Sequence, residues 1–321
     1  MSFKRVLITA LALLAVTNLA GCSNENSESN STLSTTSVGT EAVTEETTEV
    51  ITDISPKDLV ENIKKSLDSL SSLETNIMVY SDLDVKFGKL MQDDFDFDLT
   101  KVEELKGKLD DYYPLSSTSD ITKKFDSDSK YVKYKITEEN SLVHELNQNA
   151  GIKETVTEQY LELDGEQRLF QCDDGETWES TKVYDLNDIS VNPVQTTIEL
   201  LTDFKPNNHE NIELADTMII EGTISSTSAR AIFENSSGSD ERVPAKIVFD
   251  NANNQIKTIK IDLISMYTDE YLFDLMKPNT IESPEELSEY MKPSRYEIIM
   301  TFNNANNTNV SIPKEVLDTN K

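Results

Sequence analysis

From residue 75 to residue 88 the chain alternates with a period of two. Ile77, Val79, Leu83, Val85 and Phe87 fall on one side, with Ser81 the one polar member of that row. Asn76, Asp82, Asp84 and Lys86 fall on the other, joined by Met78 and Tyr80. Successive side chains of a strand point to opposite faces, so the run predicts a half-buried β-strand of unusual length. Any fold for this chain has to bury that apolar row.

A well-marked helix leads into the strand. Ser55-Pro56 supplies a cap followed by proline at the first helical position, with Asp58 close behind. Leu59, Val60, Ile63, Leu67 and Leu70 recur at helical spacing and form one apolar face. After the strand, residues 89–120 break the pattern with acidic and Ser/Asp-rich stretches, and a short helix is expected on Val102, Leu105 and Leu109. From 131 onward strands dominate. Tyr160 to Phe170 carries a hairpin signal at Asp164-Gly165, and a second Asp-Gly at 174–175 leads into Trp178.

The remaining third continues in the same vein. Asn192-Pro193 opens a helix with Val194, Ile198, Leu201 and Phe204 on one face. Phe249 to Asn254 and Phe302 to Asn307 share the Phe-x-Asn-Ala-Asn-Asn pattern, and each reads as strand, Asn-rich turn, strand. Between them Ser283-Pro284-Glu285-Glu286 is a capping box for a short helix through Tyr290 and Met291. Sequential hairpins imply an antiparallel sheet, with helices on one face: an α+β domain over residues 56–321.

The helix at 56–73 running straight into the strand at 75–88, the Tyr160–Trp178 hairpin stretch and the closing Asn309-Val310-Ser311-Ile312-Pro313 together resemble the LolA/LppX-type lipoproteins. The resemblance implies a curved antiparallel half-barrel with helices packed on its concave face. It also implies a concave side that binds acyl chains or other apolar groups. Ile77, Val79, Leu83, Val85 and Phe87 would then line either a core or a ligand cavity; their periodicity is the same in both cases. The 89–120 insert and the extra length depart from the compact form of that family.

The N-terminus has a separate logic. Lys4 and Arg5 precede an apolar run from Val6 to Val16 that is interrupted only by Thr9. A spanning helix needs roughly 20 apolar residues, so the run reads as a signal-peptide core. Leu19-Ala20-Gly21-Cys22 then resembles a bacterial lipobox. The expectation is cleavage between Gly21 and Cys22, with lipid on the Cys22 thiol; residues 1–21 are the signal peptide. Two acyl chains anchor stably where one binds marginally. Of the 33 residues from 23 to 55, 15 are Ser or Thr and none is Lys or Arg, so the segment cannot bury enough surface to order itself. Residues 22–55 are therefore expected to be the lipidated cysteine and a disordered tether.

Charge and chemistry narrow the function classes. With 59 acidic against 29 basic residues the net charge is −30. That argues against nucleic acid, whose binding rests on basic side chains neutralising phosphate, and against polybasic adhesion to anionic headgroups. Membrane contact is expected through lipid on Cys22, at the extracytoplasmic face of the cell membrane. If Cys22 carries lipid, Cys172 has no disulfide partner and reads as a half-buried strand thiol. His144-Glu145 fails as a zinc motif because position 148 is Gln, and His209 stands apart. Asp94, Asp96 and Asp98 have calcium-loop spacing, but Leu99 and Leu105 stand where Gly and Glu are required. No nucleophile elbow, phosphate loop or Cys-x-x-Cys occurs. No catalytic residue, metal site or cofactor is expected. The leading expectation is a non-enzymatic lipoprotein that binds a hydrophobic or lipid ligand. The alternatives are an envelope protein-interaction or sensor module and an ABC-transporter solute-binding lipoprotein.

Overall fold

The computed structural model describes residues 55–90, 109–146, 152–163, 167–173, 175–183, 193–207, 212–214, 216–232, 241–250, 252–253, 255–276 and 281–318. Signal peptide, lipobox, tether, the Asp94–Asp98 run, His209 and the helix expected on Val102 and Leu105 lie outside them.

Helix α1 (Pro56–Asp68) forms as its sequence dictates. The Ser55 hydroxyl accepts the Asp58 backbone N–H at 3.2 Å, which satisfies one of the first-turn donors. Leu59, Val60, Ile63 and Leu67 are buried along one side, each such side chain contributing about 1.5–3 kcal/mol of transfer free energy. Strand β1 (Leu73–Val85) follows, with alternate residues buried along its whole length. Phe87 is not part of it. The strand ends at Val85, and Phe87 opens a one-turn helix, α2 (Phe87–Leu90), with its ring 6.4 Å from that of Tyr113.

The strand expected to lie beside an irregular insert instead has a full-length partner. Strand β2 (Tyr113–Phe125) pairs with β1 over 13 residues, from Leu73↔Phe125 to Val85↔Tyr113. Its inward row is Leu115, Ser117, Ser119, Ile121 and Lys123, and the polar members hide the alternation. Next come β3 (Ser129–Asn140), α3 (Ser141–Leu146), β4 (Ile152–Glu162), β5 (Arg168–Cys172) and β6 (Glu179–Lys182). β4 and β5 form the hairpin expected around the first Asp-Gly. Trp178 packs 5.5 Å from Tyr160.

Helix α4 (Pro193–Asp203) buries Val194, Thr197, Leu200 and Leu201. Val194, Leu201 and Phe204 of the expected face are buried and Ile198 is half-buried against the core; Thr197 and Leu200 widen that face. Short strands β7 (Lys205–Pro206) and β8 (Ile212–Leu214) lead to β9 (Thr217–Ser225), α5 (Ser226–Arg230), β10 (Arg242–Asp250) and β11 (Gln255–Asp262). Helices α6 (Asp269–Met276) and α7 (Pro284–Leu287) precede β12 (Met291–Asn303), and α8 (Lys314–Leu317) ends the described chain. The first Asn-rich segment is the β10–β11 turn as expected. The capping box is present, with the Ser283 hydroxyl accepting the Glu286 N–H at 3.3 Å. Its helix is shorter than expected: it stops at Leu287, and Met291 begins β12.

The strands form one curved, open antiparallel sheet in the order β6-β5-β4-β3-β2-β1-β12-β11-β10-β9-β7, with β8 also on β9. This is the half-barrel α+β architecture. Parallel sheets of strand–helix–strand units, which a transporter-type solute-binding protein would need, are not what the chain builds. Helices α1 and α4 pack together over the inward face, sharing a core with the inward rows of β1, β12, β11, β10 and β9. Gly222 on β9 is required there. A Cβ would lie 2.4 Å from the Lys205 carbonyl oxygen and 2.5 Å from Phe204 Cζ.

The expected last strand, Asn309–Pro313, does not form. β12 already lies between β1 and β11, so both its edges are occupied. Asn304 and Asn306 adopt positive φ values of 52° and 59°, which turn the chain out of the strand. The segment is instead held by side chains: Ser72 Oγ accepts the Thr308 N–H at 3.0 Å, and Asp126 accepts the Val310 N–H at 2.6 Å.

Candidate functional site

Two features of the concave side could meet a ligand. The first is a groove between the C-terminal half of α1 and the adjoining ends of β1, β11 and β12. Ile63, Leu67, Leu70, Leu73, Ile256 and Phe302 give it an apolar floor, and Ser66, Gln255, Asn303 and Asn304 rim it. Its volume is about 40 Å³, room for roughly three waters. None of Ile77, Val79, Leu83, Val85 and Phe87 is among the groove's lining residues. All five are at most 3% exposed and sit in the central core cluster.

The second feature is a row of polar side chains crossing that core. Register places Ser81 of β1 opposite Tyr296 on one side and Ser117 on the other. Ser117 lies opposite Glu138, and Glu138 opposite Lys153. The Tyr267 hydroxyl shares a 2.5 Å hydrogen bond with Ser81 Oγ, and its ring stacks on Tyr296 at 4.5 Å. Glu138 is 4% exposed. Burial pushes its carboxyl up to about 7, against the pull of the nearby Lys153 charge.

A parallel row lies six residues, or about 20 Å, along the strands, closer to the groove, by the roughly 3.4 Å rise per residue. Phe302, whose ring lines the groove, is opposite Thr75, and Thr75 is opposite Lys123. Lys123 is 1% exposed, and its ammonium donates to the Ile232 carbonyl at 3.2 Å. Burial lowers its pKa to about 8. Thr75 is fully buried, and its hydroxyl has no hydrogen-bond partner among the described residues. Sequence reading missed Thr75, Lys123 and Glu138. Extending the period of two backward from Ile77 would have reached Thr75 and Leu73. Lys123 and Glu138 become visible only once cross-strand register is known.

The outer face carries charge and aromatic chemistry of an ordinary surface kind. Arg295 lies 3.5 Å over the Tyr80 ring and pairs with Glu297, which Lys260 also meets at 2.5 Å. Burial raises the Glu297 carboxyl and these two cations lower it, with a net downward shift. Cys172 is 2% exposed and stays in the outer row beside Phe170, more buried than the half-buried thiol expected. Among the described residues no group of three or more His, Cys, Asp or Glu side chains could hold a metal ion.

The chain matches no protein-family model, and no curated protein is similar to it. Among solved structures it is similar to LprF from Mycobacterium bovis, with a TM-score of 0.39 and 12% identity. That alignment covers 81% of this chain and 97% of LprF. The half-barrel assignment stands on the sheet order above and takes nothing from a likeness at that score.

Proposed function

We propose that this protein is a non-enzymatic, lipid-anchored half-barrel of the bacterial envelope that binds a hydrophobic ligand on its concave side. The observation that carries the reading is the groove beside α1, where a largely buried apolar floor of Ile63, Leu67, Leu70, Leu73, Ile256 and Phe302 lies inside a polar rim. Ligand sites are mostly apolar concavities with a few placed polar groups. The groove has that composition at small size, and displacement of α1 from the sheet would lengthen it. The lipobox at Leu19–Cys22 supports the anchor. No helix among the described residues is long and apolar enough to cross a membrane.

One protein tests both halves. The Cys22→Ser chain, expressed in a host that processes lipoproteins, should leave the membrane fraction or accumulate as precursor. Its soluble form, incubated with bacterial lipid extract, should show a bound apolar adduct by native mass spectrometry. Processed protein that stays membrane-bound would overturn the anchor. Protein that remains empty across lipid extracts would overturn the ligand.

A further inference from the structure

The polar wing leaves one stretch of strand paired on a single side. Strand β4 meets β3 along its whole length, from Ile152↔Glu139 to Glu162↔Ser129, with no bulge. Its other edge meets β5 only from Glu158↔Cys172 to Leu161↔Leu169. Among the described residues, 152–157 therefore have no strand beside them on that edge. Alternate backbone N–H and C=O groups along it point outward, the form in which a sheet accepts a further strand. At its start stands Ile152, 47% exposed and the one exposed large hydrophobic among the described residues. Val156, four residues on, is half-buried on the same outer face.

Charge and register narrow what fits that edge. The net charge of −30 makes most of the surface repel a second copy. Here the charges are matched within the chain: Glu154 meets Lys135 at 2.8 Å, the adjoining Glu158 meets Lys133 at 2.6 Å, and Lys153 faces Glu138. Opposite residues of an antiparallel ladder share a face, so a strand meeting its own copy pairs residues of equal parity. Centring the contact on Thr155 would set Ile152 against the partner's Glu158, where Cys172 already pairs. Centring it on Lys153 sets that ammonium against itself and leaves three pairs. Centring it on Glu154 sets Ile152 against the partner's Val156 at both ends, and Lys153 against the partner's Thr155. The one like-charge pair is then Glu154 on itself, and each of those carboxylates already holds a lysine.

We infer that residues 152–156 of β4 are a self-association edge, where a second copy of this chain joins antiparallel about a two-fold axis at Glu154. The two sheets become one, and Ile152 is covered by the partner's Val156 at each end of the contact. A five-residue ladder falls short of the roughly 1,000 Å² of a stable interface, so the dimer is weak and reversible. The inference is independent of the hydrophobic-ligand reading, because the edge lies on the opposite wing from the groove.

The purified Cys22→Ser chain should show a concentration-dependent monomer–dimer equilibrium in sedimentation. Ile152→Glu should weaken it about 10-fold or more, through two lost apolar pairs and two added charges. Ile152 is exposed in the monomer, so that variant keeps its fold, which circular dichroism verifies. Glu154→Gln removes the like-charge pair and should tighten the dimer about 2- to 5-fold. Cross-linking reads the register. Directly opposite Cα atoms lie about 4.5–5.5 Å apart, within disulfide reach. Under mild oxidation Glu154→Cys in the Cys22→Ser chain should give a covalent dimer, and Thr155→Cys and Thr157→Cys should not. Cys172 is buried and stays out of the reaction. A chain that stays monomeric up to about 1 mM, a dimer untouched by Ile152→Glu, or equal cross-linking at all three positions would overturn the inference.

Discussion

The two wings of the sheet share their antiparallel pairing and differ in what they turn inward. On one side, β9 to β12 with β1 present Met218, Ile220, Ile224, Val243, Ile247, Phe249, Ile259, Ile261, Ile298 and Met300, all buried under α1 and α4. On the other, β2 to β5 turn inward Ser117, Ser119, Lys123, Lys130, Glu138, Lys153, Thr155, Thr157, Gln159 and Gln171, with Ile121, Val132, Tyr134, Ile136 and Leu161 among them. Polar side chains are interspersed along the inward face of the second wing, where apolar ones fill the first. The inward pair Gln159 and Gln171 bond amide to amide at 3.0 Å, and the outward pair Lys133 and Glu158 meet at 2.6 Å. Exposed ion pairs of the latter kind contribute little, with a median of about 0–1 kcal/mol. The difference teaches that one continuous backbone ladder can join a conventional core to a polar wall, and that the groove proposed above lies on the core side.

The largest expected effect breaks the comparison directly. Leu83 is completely buried in the β1 row, and Leu83→Ala should cost about 2–5 kcal/mol through lost transfer energy and a residual cavity. Thr157 is half-buried on the inward face of β4, and Thr157→Ala should cost well under 1 kcal/mol, as expected away from packed positions. Urea denaturation of the two variants measures both. Comparable losses would mean that the polar wing is packed as tightly as the apolar one.

Legibility from sequence follows the same division. The apolar wing declared itself: α1, β1, the β10–β11 turn and the Ser283 cap were readable because burial imposes a period and caps impose residue types. Phe87 was misplaced because it continues the parity of the row after the strand has ended. β2 was missed because its inward row mixes Leu115 and Ile121 with two serines and a lysine, so hydropathy shows no alternation. The closing segment reads as a strand from its own residues. Whether Asn309–Pro313 could pair depended on β12 having a vacant edge, which is a property of the topology. Of the candidate site, the groove's apolar residues were visible as helix and strand faces. Thr75 and Lys123 are 48 positions apart in the chain and become neighbours only through the β1–β2 register.

A second effect sharpens the comparison through pH. In the polar wing Glu138 titrates at about 7 against an ordinary 4.5, raised by burial. The folded state therefore holds a proton between about pH 4.5 and 7 that the unfolded chain has released. Stability from this group falls as pH rises through that window, and the full penalty is present above it. Because Lys153 and partial solvation offset the burial, Glu138→Gln should gain about 1–3 kcal/mol at pH 8 and almost nothing at pH 4. Denaturation midpoints at the two pH values measure the difference. A gain of equal size at both would show that the carboxyl does not titrate in that window.

The smallest effect has the opposite sign and comes from the apolar wing. Asp203 ends α4 and ties it to the sheet. Its carboxylate accepts the Ser225 N–H at 2.7 Å and pairs with Arg242 at 3.2 Å, while Arg242 also donates to the Asp203 and Thr223 carbonyls. Burial raises the carboxyl, but its bonds to Ser225, Arg242 and Ser228 outweigh that and hold it at about 2, below the ordinary 3.8. A depressed acid stabilises the fold above its unfolded pKa, and that stabilisation is lost as pH falls from about 4 towards 2. With the pair about a quarter exposed, solvent screening leaves roughly 1 kcal/mol. Asp203→Asn should therefore cost about 1 kcal/mol at pH 7 and progressively less below pH 4. Acidification thus relieves the polar wing at Glu138 before it loosens the apolar wing at Asp203. Unfolding curves of the two single variants and the double variant between pH 2 and 8 should show independent, additive effects, because the sites share no partner. Strong non-additivity would mean that the wings respond as one unit and that the division drawn from their inward faces is not an energetic one.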